Sequence, residues 1–142
     1  MSKAQGLAGN LSELTLGWIK KEYGNFLMDG ESVVTGFELI RDCVIFTDKR
    51  IISIDRRGML GKKLRVTSVY MAQVVGVALE TAGAGINDHK LRICYITSLY
   101  SKVPTGAKTA ELRYEFPKKY DPSQLYRWLQ KVALENYENL NK

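Results

Sequence analysis

The sequence holds few of the residues on which catalysis and metal binding usually depend. Its 142 residues include one histidine and two cysteines, so a Ser-His-Asp or Cys-His arrangement would depend wholly on His89. His89 follows Asp88 in a polar turn, where we expect a solvated side chain rather than a catalytic base. No group of residues has the spacing of a metal site. The sequence therefore predicts no enzyme, no cofactor and no bound metal.

Long apolar stretches are missing as well. No segment approaches the roughly 20 apolar residues that cross a bilayer, and residues 1–10 lack the apolar core of a secretory signal. We therefore expect a cytoplasmic protein in which Cys43 and Cys94 remain free, buried thiols. The length suits one domain, which we place at residues 11–142 behind an N-terminal tail of residues 1–10.

A helix is predicted near each end of this domain. Asn10 and Glu13 are spaced as a capping box at the start of a helix over residues 11–22, and Gly24 is a plausible stop. Asp121 as N-cap and Pro122 in the first turn begin a C-terminal helix. The apolar face of that helix is wide enough to cover a sheet opening, and its residues are Leu125, Trp128, Leu129 and Val132.

Seven short segments rich in β-prone residues lie between the two helices. They cover residues 33–40, 43–47, 51–54, 64–70, 74–81, 91–96 and 110–116. Strands recur about every ten residues without strand–helix–strand alternation, which favours an antiparallel sheet. The predicted fold is mainly β: a seven-stranded antiparallel barrel or sandwich with a C-terminal capping helix and an additional N-terminal helix.

The positive charge is concentrated in one segment. The chain carries a net charge of +6 from 21 bases and 15 acids. Residues 49–65 hold seven of those bases and only one acid, Asp55, so this basic segment accounts for the whole excess. It contains a glycine-punctuated connection over residues 56–63 with two apolar residues at its centre. The candidate binding residues are Arg56, Arg57, Met59, Leu60, Lys62 and Lys63.

Three interpretations of this connection remain open. Met59 and Leu60 either fold back in an ordinary solvated turn, contact another protein or copy of the chain, or enter the headgroup region of an anionic membrane. A nucleic-acid partner is not expected, because the basic segment has no aromatic side chains interleaved with its bases. A phosphate-binding loop is also excluded, since the spacing of Gly58 and Gly61 is too short and no helix follows.

Several short stretches, in order, resemble the bacterial pleckstrin-homology (PH) family, formerly a domain of unknown function. They are Glu22-Tyr23-Gly24-Asn25-Phe26-Leu27, Asp29-Gly30-Glu31, Leu39-Ile40-Arg41-Asp42, Phe46-Thr47-Asp48-Lys49-Arg50, Gly61-Lys62-Lys63 and Glu80-Thr81-Ala82-Gly83. The resemblance spans roughly residues 11–138. It implies the PH architecture, and it implies self-assembly as well, because some members form homo-oligomeric rings.

The resemblance does not carry the ligand of eukaryotic PH domains with it. Those domains hold phosphoinositides with a basic loop between their first two strands, and here these strands meet at Arg41-Asp42, so no phosphoinositide is expected. We predict a non-enzymatic module that binds copies of itself or another protein. The alternative is a peripheral protein that binds anionic lipid through residues 49–65.

Overall fold

A computed structural model describes residues 12–38, 42–58, 62–83, 88–98 and 106–142. The chain forms two compact units, residues 1–70 and 71–142. The elements of the first unit are β1 (Ser12–Glu13), α1 (Leu16–Tyr23), β2 (Val33–Glu38), β3 (Asp42–Thr47), β4 (Arg50–Arg57) and β5 (Lys63–Tyr70). Its five strands form one antiparallel sheet in the order β1-β2-β3-β4-β5.

Helix α1 begins later than the sequence predicts. The expected capping box at Asn10 and Glu13 is wrong, because Glu13 instead pairs with Phe37 in the sheet. Thr15 caps the helix, since its hydroxyl accepts a hydrogen bond from the Trp18 N–H at 3.2 Å. The predicted end at Gly24 is confirmed. Pairing with β2 gives backbone N–H and C=O groups of β1 hydrogen-bond partners in the sheet, so this segment does not need a helix to satisfy them.

Alternation along β3 and β4 gives the first sheet two buried faces. Cys43, Ile45, Ile52 and Ile54 lie on the face that α1 covers with Ile19. Gly36 in β2 allows this close packing, because a Cβ there would stand 2.7 Å from Ile19 Cδ1. The opposite face is also apolar, and its fully buried residues are Phe37, Val44, Phe46 and Ile51. Burial on both faces agrees with the apolar runs of residues 43–46 in β3 and 51–52 in β4.

A buried ion pair holds the β3–β4 hairpin against the segment that precedes β2. Glu31 accepts hydrogen bonds from Arg50 Nε at 2.9 Å and Arg50 Nη2 at 3.0 Å, and their side chains are 1% and 11% exposed, respectively. The Thr47 hydroxyl donates to Glu31 at 2.6 Å and accepts the Lys49 and Arg50 N–H groups of the turn. The two resembling stretches Asp29-Gly30-Glu31 and Phe46-Thr47-Asp48-Lys49-Arg50 therefore meet in one network.

The second unit contains a three-stranded sheet and the C-terminal helix. Its elements are a 3₁₀ turn (Met71–Gln73), β6 (Val74–Glu80), β7 (His89–Ile96), β8 (Thr109–Phe116) and α2 (Ser123–Leu140). The strands are antiparallel in the order β6-β7-β8. Helix α2 begins one residue after the predicted Pro122, and the Asp121 carboxylate accepts the Ser123 N–H at 3.0 Å.

The apolar face of α2 and one polar side chain attach the helix to its own unit. Leu125, Leu129 and Ala133 are buried. Asn136, where the apolar stripe ends, donates from Nδ2 to the carbonyl oxygens of Met71 at 2.6 Å and Val74 at 2.7 Å. These bonds satisfy two backbone acceptors where β6 begins. The predicted mainly β class is confirmed: in the described part of the chain, seven strands lie between the two helices and belong to two antiparallel sheets.

Candidate protein-interaction surface

The β4–β5 hairpin contains the candidate binding residues, and it is more regular than the sequence suggests. The predicted connection over residues 56–63 is too long, because Arg56 and Arg57 belong to β4 and Lys63 belongs to β5. Arg57 pairs directly with Lys63. Gly58 has φ of 78°, a left-handed conformation that glycine adopts without strain. Strand pairing therefore continues to the turn itself.

Arg56 and Arg57 have partners within the first unit. Arg56 Nη2 donates to the Tyr23 hydroxyl at 2.6 Å. Burial raises the pKa of this hydroxyl above its usual value of 10.0, although the Arg56 guanidinium acts in the opposite direction. Arg57 Nε donates to Asp55 at 2.7 Å, and this hydrogen bond is the main cause of the lowered pKa of the Asp55 carboxyl. Both arginines are therefore less available to a partner than sequence composition implies.

The exposed positive charge lies on and beside β5. Lys62 and Lys63 are exposed, as is Arg65, two residues further along the strand. We call Lys62, Lys63 and Arg65 the basic edge. The apolar candidates Met59 and Leu60 lie outside the described residues. The structure thus places four of the six predicted site residues, Arg56, Arg57, Lys62 and Lys63, on one hairpin.

The rest of this surface is not predicted from the sequence. Leu64 and Tyr70 are 40% and 57% exposed, and Thr67 and Ser68 between them are exposed as well. Only Val69 of β5 is buried. The available signal was the polarity of one strand face, Lys63, Arg65 and Thr67, in contrast to β3 and β4. An edge strand tolerates such polar residues better than a central strand does.

A second exposed surface lies on α2. Leu134 and Tyr137 are 55% and 51% exposed and lie one turn apart. The exposed residues before them on the same stripe are basic, Arg127 and Lys131, and the exposed residue after them is Glu138. This stripe therefore has a basic end, an apolar centre and an acidic end.

The three-stranded sheet carries a depression of about 330 Å³, whose charged lining does not single out a ligand. Arg92 and Arg113 pair directly across β7 and β8, but Glu111 accepts from Arg113 at 3.1 Å. The remaining charged residues of the lining are Glu80, Lys90 and Glu115. Basic and acidic groups nearly balance there, so the depression has no strong preference for an anion.

His89 has a structural position that the sequence did not predict. Its Nδ1 accepts the Ala82 N–H at 2.8 Å, and its Nε2 lies 3.0 Å from the Lys118 carbonyl oxygen. An accepting Nδ1 places the ring proton on Nε2, which donates to that carbonyl. The expectation of a solvated turn histidine is therefore wrong, because both ring nitrogens connect backbone segments of the second unit.

Within the described part of the chain, no cluster of three or more His, Cys, Asp or Glu side chains could hold a metal ion. Over the same residues, no helix is both long and apolar enough to pass through a membrane. Cys43 is buried and Cys94 half-buried, and both are free thiols. The surfaces described above offer a partner three features: exposed charge, exposed apolar side chains and the edge of a strand.

Comparison with known proteins supports the architecture. The profile described as "Bacterial PH domain" matches residues 3–133. The uncharacterized protein YjqA of Bacillus subtilis (strain 168) is 34% identical over 118 residues, which cover 83% of this chain and 94% of that protein.

Solved structures give the same result. A DUF1696 family protein with a pleckstrin-homology domain from Shewanella loihica PV-4 has a TM-score of 0.66 at 27% identity, covering 89% of this chain and 99% of the other. A pleckstrin homology domain from Shewanella amazonensis SB2B has a TM-score of 0.58 at 26% identity, and the match covers 90% of this chain and 93% of the other. A PH domain containing protein from Exiguobacterium sibiricum 255-15, at 19% identity and a TM-score of 0.67, shares the fold over 89% of this chain and 64% of its own.

Proposed function

The chain belongs to the bacterial PH domain family, and from that premise we propose that it is a non-enzymatic interaction module that assembles into a homo-oligomer. The family is one of PH domains rather than a catalytic family. Shared fold alone does not establish a partner. The proposal therefore rests on the surfaces of this chain, and above all on the exposed stripe of α2.

The α2 stripe is complementary to a second copy of itself. In an antiparallel, two-fold pairing of two α2 helices, Arg127 and Lys131 of one copy face Glu138 of the other. Leu134 then lies near the centre, where the contact removes apolar area from water. A two-fold interface uses the same surface on both subunits, which requires such internal complementarity. The separation of basic and acidic residues to opposite ends of one exposed stripe supports self-association through this surface.

Solution mass tests the proposal. Light scattering of the full chain should give a single species of at least twice the chain mass of 16.1 kDa. A dimer agrees with two-fold α2 pairing, and a larger closed species agrees with a ring that uses a further contact. A monomer at both low and high salt would reject self-association.

Charge exchange locates the interface more sharply. Arg127→Glu should weaken the oligomer, because it brings two carboxylates together across the two-fold axis. Adding Glu138→Arg should restore the oligomer, since positions 127 and 138 then again carry opposite charges across the two-fold axis. Lys20→Glu/Lys21→Glu on the exposed side of α1 is the control and should leave the mass unchanged. Failure of the exchanged pair to restore the oligomer would place the interface elsewhere.

A second candidate function, binding to anionic lipid, is supported by the exposure of Lys62 and Lys63. In that case Lys62→Glu/Lys63→Glu should abolish sedimentation of the protein with phosphatidylserine vesicles, whereas Lys20→Glu/Lys21→Glu should not. Binding should also fall steeply with salt, because exposed charges are screened beyond about 10 Å at 0.1 M. Vesicle binding that the first variant leaves intact would reject this candidate.

A further inference from the structure

Strand β5 ends its sheet as a long, regular strand. All eight of its residues pair with β4, from Arg57 with Lys63 to Arg50 with Tyr70, without a bulge. Among the described residues, no strand pairs with its other side in that sheet. Alternate residues of an antiparallel edge strand direct their N–H and C=O groups away from the sheet. The edge therefore offers a row of backbone groups that an extended segment can pair with.

The charge along β5 determines which segment would fit. Lys63 and Arg65 lie on one face of the strand and Lys62 precedes them, while residues 62–70 contain no acid. Lysine and arginine at an edge oppose pairing with a second basic strand, because like charges repel across such a pair. Pairing of β5 with β5 of another copy would bring two basic edges together and is disfavoured for the same reason.

The other face of β5 is partly apolar. Leu64 and Tyr70 are exposed, and Val66 between them is half-buried. An added strand would place alternate side chains beside these residues and the remaining ones beside Lys63 and Arg65. The complementary sequence therefore alternates acidic and apolar residues.

We propose that β5 is an acceptor edge for an extended acidic segment of a partner protein, which adds to the sheet as a further strand. Backbone hydrogen bonds supply the pairing, the basic edge selects acidic side chains, and Leu64 and Tyr70 contact apolar ones. This inference rests on the proposed function as an interaction module, but it uses a different surface from α2 and adds a different partner.

A synthetic peptide provides the test. The probe is a fluorescent eight-residue peptide of alternating glutamate and valine, titrated with the full chain and followed by anisotropy. Two peptides serve as controls: one has four glutamates followed by four valines, and the other is the alternating peptide with every backbone nitrogen methylated. Saturable binding of the alternating peptide alone is expected, because only it combines the side-chain period with free N–H groups.

Variants then test the basic edge. Lys63→Gln/Arg65→Gln should weaken peptide binding about fivefold or more, as expected for the loss of two exposed charge contacts. Lys20→Gln/Lys21→Gln removes the same charge from α1 in the same unit and should leave the affinity unchanged. Circular dichroism checks that both variants retain the wild-type fold, and glutamine preserves strand pairing better than a reversed charge.

Three results would overturn the proposal: no saturable binding of the alternating peptide, equal binding of the block or methylated peptide, or equal loss in the two variants. Binding to phosphatidylserine vesicles without binding to the peptide would also reject it in favour of lipid. Light scattering of the same samples without peptide reports self-association separately, so failure of this inference and failure of the oligomer proposal are distinguishable.

Discussion

Glu31→Gln is expected to lower the free energy of unfolding by about 3 kcal/mol at pH 7, since breaking a buried ion pair leaves one charge without its partner. Arg50 would remain 11% exposed and would retain its hydrogen bonds to Ser68 and the Phe26 carbonyl, but neither group carries a compensating charge. Urea denaturation followed by Trp18 fluorescence in a Trp128→Phe background measures the effect in the first unit.

The pH dependence of this loss identifies the carboxylate as its cause. Burial raises the pKa of Glu31, but hydrogen bonds from Arg50, Thr47 and the Met28 N–H outweigh burial and lower the pKa from 4.5 to about 2. A lowered pKa in the folded state contributes stability above the unfolded value, and this stability is lost as pH falls towards the folded value. The difference between wild type and Glu31→Gln should therefore be full above about pH 5 and should shrink towards pH 2.

Glu13→Gln is the matched control for this pair. Glu13 lies in the same unit and accepts one exposed hydrogen bond from Thr35 at 2.9 Å, so its loss should change the free energy of unfolding by no more than about 0.5 kcal/mol. If both substitutions changed the free energy of unfolding equally, the Glu31 network would contribute no more to stability than a single exposed hydrogen bond. A difference for Glu31→Gln that stays constant between pH 5 and pH 2 would contradict the pKa assignment.

Sequence patterns predicted the central elements well, because local chemistry decides them. The apolar runs of β3 and β4 are the signature of strands buried on both faces, and the 3.6-residue spacing of Leu125 and Leu129 marks the buried face of α2. The two-residue strand β1 was missed because so short a strand has no period. Its pairing with β2 depends on residues about 25 positions apart, which no local pattern reveals.

The candidate surface was predicted only in part, for a related reason. Composition located the positive charge in residues 49–65, but it could not show which bases already have partners. Arg56 contacts Tyr23 across 33 positions, and Arg50 contacts Glu31 across 19. The first pairing depends on where α1 packs on the sheet, and the second joins the segment before β2 to the β3–β4 hairpin. Arg65 became a candidate only when β5 proved to be an exposed edge.

Leu129→Ala is expected to destabilise the second unit by about 2–5 kcal/mol, because it removes buried side-chain atoms and leaves a cavity that the surrounding residues fill only partly. Leu129 is 0% exposed on the face of α2 that packs within this unit, whereas Leu134 on the same helix is 55% exposed. Leu134→Ala involves the same chemical change and should cost no more than about 0.5 kcal/mol in the monomer.

Trp128 adjoins Leu129 in sequence and reports on the second unit when Trp18 is replaced by phenylalanine. Urea denaturation of the two alanine variants in that background gives both free energies of unfolding.

The denaturation should be carried out at protein concentrations where light scattering shows the same mass for both variants. An α2 interface would otherwise make the loss of stability at Leu134 depend on concentration. A loss at Leu134 that equals the loss at Leu129 and is independent of concentration would contradict the assignment of buried and exposed faces on α2. A loss at Leu134 that appears only at concentrations where wild type is oligomeric would instead support the proposed two-fold pairing of this helix.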